Sequence, residues 1–180
     1  VGQYNVTLTD VTDKAIANGQ NIISKSLARI AKKKMADKSA EEQQSFVKSV
    51  VDSINVTTDA AKAVESTDLV IEAIIENMKI KRELFGFLDT KAPGDAIFAS
   101  NTSSLSINEI ASSTKRPELF GGFHAFNPVP QMKLIEVVRT SQTSEDTHKA
   151  LTEVAKRMGK VPVSCIDSPG FIAVSYTHLR

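Results

Sequence analysis

Three short apolar runs, AIFAS at 96–100, ELFGGFHAF at 118–126 and KLIEVV at 133–138, constrain the fold of this chain more than any other feature. Each reads as a buried strand, and polar clusters follow the first two where strands would end. Similar runs elsewhere alternate with stretches of helical period. Apolar strands separated by amphipathic helices specify a doubly wound α/β domain, in which ligands bind at the carboxyl ends of the strands.

Asn5 to Thr9 reads as a strand closed by Asp10. An acid there suits the second half of a dinucleotide-binding βαβ unit, where it accepts hydrogen bonds from ribose hydroxyls, and equally suits an ordinary turn or cap. The first half of such a unit, a strand and its Gly-x-Gly-x-x-Gly turn, is absent from the sequence, and Gly2 alone does not replace it. Thr12 caps a helix with Ile16, Ile23, Leu27 and Ile30 at helical spacing, ending in the solvated turn Lys32, Lys33 and Lys34. Ser39 and Glu42 form a capping box for a second helix with Phe46, Val47, Val50, Val51 and Ile54 inward, so the two helices make a hairpin inserted beside the sheet.

A strand at 55–58, a small helix at 60–65 and the run DLVIEAI at 68–74 follow, the last apolar enough for a central parallel strand. Glu76, Asn77 and Lys81 then lie on the loop and first turn of a helix with Leu84, Phe85 and Leu88. Capping accounts for the acid, and a lysine one turn on is usually at the surface. Pro93-Gly94-Asp95 turns the chain into the strand at 96–100. Asn101, Thr102, Ser103 and Ser104 next either cap the helix holding Ile107 and Ile110 or hold the polar end of a ligand. Ser144 caps the last helix, with Leu151, Val154, Ala155 and Met158 inward, His148 on the polar face and Gly159 at its end; VPVSC at 161–165 is the last strand.

His124 closes the second apolar run, and Glu136 lies inside the third, where a two-residue period puts it on the face of Leu134 and Val138. An unpaired carboxylate buried there would cost several kcal/mol, comparable to the net stability of a small domain. A histidine ring is one partner: Glu136 would orient one nitrogen while the other takes a proton from a substrate. The alternative is a core histidine bonded to a backbone carbonyl and a glutamate that reaches solvent.

Composition narrows the partners. The 180 residues are 41% hydrophobic, enough for one soluble domain with a real core. A net charge of +1 and the lack of a long apolar run imply neither nucleic acid nor membrane, which leaves a small molecule. Cys165 is the only cysteine, which excludes an internal disulfide or cysteine-based zinc site, leans towards a reducing compartment and suits a small core residue. No initiator Met or targeting pattern opens the chain, the mark of a cut sequence.

SNTSSL at 100–105 and GGFHAFNPVPQMKLIEVV at 121–138 resemble the catalytic segments of the short-chain L-3-hydroxyacyl-CoA dehydrogenase family, and the resemblance runs over about residues 2 to 172. It implies a Rossmann-type NAD-binding and catalytic domain over 1–172, without its first strand and glycine-rich turn and with an inserted helical hairpin lining the acyl-CoA cleft. The implied reaction is reversible NAD-dependent oxidation of L-3-hydroxyacyl-CoA to 3-ketoacyl-CoA, as in fatty-acid β-oxidation. His124 is implied as the base and Glu136 as its support, with Ser103 and Asn127 on the substrate oxygen. Asp10 would take the adenosine ribose, and Ala73, Glu76 and Lys81 the nicotinamide side, with Ser103 and Asn127 also touching NAD. Ser26, Lys33 and Ser103 would contact coenzyme A.

The resemblance stops at Ile172. Where the family has a substrate-contacting Asn, then an Arg and a long apolar helix, this chain has Val174 in the tail AVSYTHLR at 173–180, which shows no helical period. The tail is therefore expected to be non-native, with no role for His178, and the helical dimerisation domain to be absent. A homodimer is expected of the full-length parent only, and these residues alone are expected to bind NAD poorly. The implied compartment is the mitochondrial matrix, otherwise the cytoplasm or peroxisome. Competing readings are a recruited, crystallin-like structural protein and a segment of a multifunctional β-oxidation enzyme. A dehydrogenase of free 3-hydroxyacids fits less well, because the CoA-facing hairpin would have no purpose.

Overall fold

In the computed structural model, which describes residues 4–168, the chain divides into two units, Val1–Ala63 and Val64–Arg180. Gly2, Ile172, Val174 and His178 lie outside the described residues, and with them the expectations about the tail.

The first unit runs β1 (Val6–Thr9), α1 (Asp13–Lys34), α2 (Ala40–Asp52) and β2 (Ile54–Thr57), with α3 (Ala60–Val64) following. β1 and β2 pair in parallel from Val6 opposite Ile54 to Thr9 opposite Thr57, so the helical hairpin is the crossover that parallel strands require. Its ends are set locally. The Thr12 side chain accepts the Ala15 N–H, and Ser39 and Glu42 form the reciprocal capping box. Two expectations need correction. Ile54 opens β2 instead of continuing α2, and Phe46 is 36% exposed because α2 turns that flank outward.

The second unit holds a five-stranded sheet in the order β3 (Leu69–Glu72), β4 (Ile97–Ser100), β5 (Phe120–Ala125), β6 (Leu134–Arg139) and β7 (Val161–Ile166). β3, β4 and β5 are parallel, β6 runs antiparallel to β5, and β7 is parallel to β6. β3 is shorter than the run DLVIEAI and stands at the end of this sheet, with Ile71 41% exposed, so it is not central among the described strands. It stops because the Glu72 carboxylate takes the Ile74 N–H at 2.7 Å and turns the chain out of the ladder.

Helices cover both faces. Alternation sends Phe123, Ile135 and Val137 to one side, where they pack with Leu151 and Ala155 of α6 (Glu145–Arg157). On the other side the Phe98 and Phe120 rings meet Phe85 of α4 (Met78–Asp89), with centroids 5.6 and 4.6 Å away, and Gly122 lies under Ile107 of α5 (Ile107–Ala111). The result is the α/β architecture expected of a Rossmann-type domain. Gly159, at φ +72°, ends the α6 segment as expected, whereas Met158 is 45% exposed.

Candidate active site

The parallel strands β3, β4 and β5 end together, and their carboxyl ends are stitched by one residue, through its backbone on one side and its side chain on the other. The Asn101 N–H donates to the Glu72 carbonyl at 2.8 Å, and Asn101 Oδ1 accepts the Ala125 N–H at 2.8 Å. The loops that leave this edge carry most of the polar residues singled out from the sequence, as the topology of α/β sheets predicts.

His124 and Glu136 meet here. The antiparallel register sets them opposite one another, and His124 Nδ1 lies 2.7 Å from Glu136 Oε2. They are 5% and 1% exposed, so this glutamate does not reach solvent. Both project on the face of Phe120, Gly122 and Val138, and the Phe126 ring stands 4.5 Å from the imidazole. A carboxylate that accepts the Nδ1 proton fixes the tautomer and ring orientation and makes Nε2 the basic nitrogen. The arrangement suits a general base.

A second cluster surrounds Lys81. Its ammonium lies 2.6 Å from Glu72 Oε1, 3.4 Å from Glu76 Oε2 and 3.4 Å from the Ile74 carbonyl, acceptors for all three of its protons. Lys81 is 1% exposed, against the surface position that its place on the helix suggested. Glu72 explains the difference: buried at 4%, it supplies the compensating charge and also accepts the Ser100 hydroxyl at 2.6 Å. Sequence reading missed Glu72, although the logic applied to Glu136, an acid inside an apolar strand, would have found it in DLVIEAI.

The Glu76 side chain is partly open to solvent and accepts the Ser103 N–H at 3.1 Å and the Thr102 hydroxyl. Partial burial works against its charge, but these two hydrogen bonds and the Lys81 ammonium together hold its carboxyl below the usual range. The hydroxyl cluster at 101–104 is not the cap of α5. That role falls to Ser106, which accepts the Glu109 N–H, and to Asp167, whose carboxylate takes the N–H groups of Ile107 and Asn108 at 3.0 and 2.8 Å. Ser103 is left exposed beside Glu76.

Ala73 and Asn127 are exposed on loops of the same edge, Asn127 preceding a cis peptide bond to Pro128. In the first unit, Asp10 is exposed just past β1, with Oδ1 accepting the Val11 N–H at 2.7 Å. Ser26 is half-buried midway along α1 and Lys33 exposed in its last turn. His148 is not fully at the surface; its Nε2 lies 2.9 Å from Ser164 Oγ. Cys165 is buried. Among the described residues no group of His, Cys, Asp or Glu is placed to hold a metal ion, and no helix is long and apolar enough to cross a membrane.

Comparison with known proteins gives this edge a context. A family described as 3-hydroxyacyl-CoA dehydrogenase, NAD binding domain, matches residues 2–168. The mitochondrial hydroxyacyl-coenzyme A dehydrogenase of Homo sapiens is 50% identical over 171 residues, covering 94% of this chain and 54% of that protein. A probable 3-hydroxybutyryl-CoA dehydrogenase of Bacillus subtilis is 43% identical over 170 residues, covering 94% and 57%. Among solved structures, (S)-3-hydroxybutyryl-CoA dehydrogenase from Ralstonia eutropha superposes with a TM-score of 0.86 at 36% identity, over 96% of this chain and 59% of that one. The chain thus spans about half the length of the curated relatives it matches.

Proposed function

Since the chain belongs to the 3-hydroxyacyl-CoA dehydrogenase family, matching its NAD-binding domain, we propose that the whole protein oxidises L-3-hydroxyacyl-CoA to 3-ketoacyl-CoA with NAD, as a step of fatty-acid β-oxidation. The observation that carries this reading is the buried His124–Glu136 pair, 2.7 Å apart at the carboxyl edge of the sheet.

Each unit, taken by itself, carries residues that suit NAD. Asp10 offers an exposed carboxylate after a parallel strand for a ribose, and Ala73, Glu76 and Ser103 offer a backbone, a carboxylate and a hydroxyl for the nicotinamide end, with Asn127 on the neighbouring loop and Lys81 supporting Glu76 from beneath. When bound, NAD accepts a hydride from the substrate carbon. His124 removes the hydroxyl proton through Nε2, and Glu136 offsets the positive charge the ring then carries, help worth about 10² to 10⁴ in rate. Ser103 and Asn127 hydrogen-bond the substrate oxygen and orient it. Ser26 and Lys33, two helical turns apart on α1, meet the coenzyme A portion, the lysine as a partner for phosphate.

The relatives named as mitochondrial support a mitochondrial compartment, and a homodimer belongs to the same reading of the whole protein. The NAD-binding and catalytic part is assigned to residues 1–172. Substrate comparison tests the proposal: the whole protein should oxidise 3-hydroxybutyryl-CoA with NAD and leave free 3-hydroxybutyrate untouched. Activity confined to the free acid would reject the substrate class.

A further inference from the structure

Two carboxylates share the single ammonium of Lys81, and they are not equivalent. The Glu72 and Lys81 side chains are each 1% exposed and 2.6 Å apart, whereas the Glu76 side chain is 42% exposed and 3.4 Å away. An ammonium closed off from water needs a partner equally closed off, because solvent weakens a longer contact to an open acid. Glu72 is therefore the group that lets Lys81 occupy its position. The same carboxylate accepts the Ile74 N–H at 2.7 Å, which ends β3, and the Ser100 hydroxyl at 2.6 Å, which fixes the end of β4. One acid thus ties together the turn at 73–76, the strand that leads into Ser103, and α4.

Given the NAD contacts proposed above for Ala73 and Glu76, we infer that Glu72 is a positioning residue for the nicotinamide end of the site. It anchors the Lys81 ammonium beneath the 73–76 loop, and that ammonium holds the Glu76 carboxylate and, at the Ile74 carbonyl, the backbone next to Ala73. Glu72 itself touches neither substrate nor cofactor and acts through Lys81.

The test is a double-mutant cycle in the whole protein, read by NADH fluorescence titration on Glu72→Gln, Lys81→Met and the combination. Each single change should weaken NADH binding by at least about tenfold, and the pair should be no weaker than Lys81→Met alone, because both remove one linkage. In Glu72→Gln the KM for NAD should rise while that for the acyl-CoA holds. Wild-type NADH affinity in Glu72→Gln, or losses that add in the pair, would overturn the inference. Should Glu72→Gln not fold, Glu72→Gln with Lys81→Gln removes both buried charges together; that variant, folded and with wild-type affinity, overturns it as well. If the unaltered protein binds no NADH, the cofactor reading falls, and this inference with it.

Discussion

Glu136 Oε2 stands 2.7 Å from His124 Nδ1 across one rung of the β5–β6 ladder, and neither side chain is more than 6% exposed. Backbone pairing, not a flexible loop, sets that distance. Each of the following expectations depends on the packing around this rung or on the sheet that carries it.

Replacing His124 with Gln retains an amide able to bond Glu136 but removes the basic nitrogen. In the whole protein kcat should fall by roughly 10² or more while NADH still binds. Reduction of a 3-ketoacyl-CoA followed by NADH absorbance measures it, and near-normal turnover would take His124 out of the proposed role.

Gly122 pairs with Val138 two residues before His124. A Cβ at this position would stand 2.7 Å from Val138 Cβ and 3.2 Å from Ile107 Cδ1, and a β-branched strand residue has little room to yield. Gly122→Ala should cost about 1–3 kcal/mol by overpacking. Gly94→Ala, where nothing lies within 4 Å, should stay within about 0.5 kcal/mol. Denaturant unfolding of the two variants side by side decides the point.

His148 gives a pH dependence whose sign is fixed. Burial and then Arg139 push its imidazole below the ordinary 6.5, with Glu145 opposing. Between the lowered folded value and 6.5 the unfolded chain binds more protons than the folded one, so stability rises with pH through that window. The contribution is fully present above 6.5 and is lost as pH falls through the folded value. His148→Gln should flatten this part of the curve in urea titrations run from acid to neutral pH. An unchanged slope would mean that other groups set it.

Features decided within a few residues were readable from the sequence. Thr12, Ser39 with Glu42, Ser144 and Gly159 each mark a helix end through bonds or backbone angles close in the chain. The inward face of Glu136 followed from a two-residue period. Strand order was not readable, because the place of β3 in the sheet depends on pairing with residues 28 positions later. Lys81 was misplaced for a related reason. Helical spacing put it near the surface, and only a partner on another element, Glu72, makes its burial tolerable. Phe46 and Met158 show the same limit: periodicity identifies a flank but not whether anything covers it.

The rung that joins His124 to Glu136 belongs to the β5–β6 ladder, and residues 126–133 connect the two strands. Change in that connection, including at Asn127, leaves the acid and the imidazole facing each other. A surface bend is thus free to vary in a chain built this way, while the acid and the imidazole stay tied to the sheet that holds them.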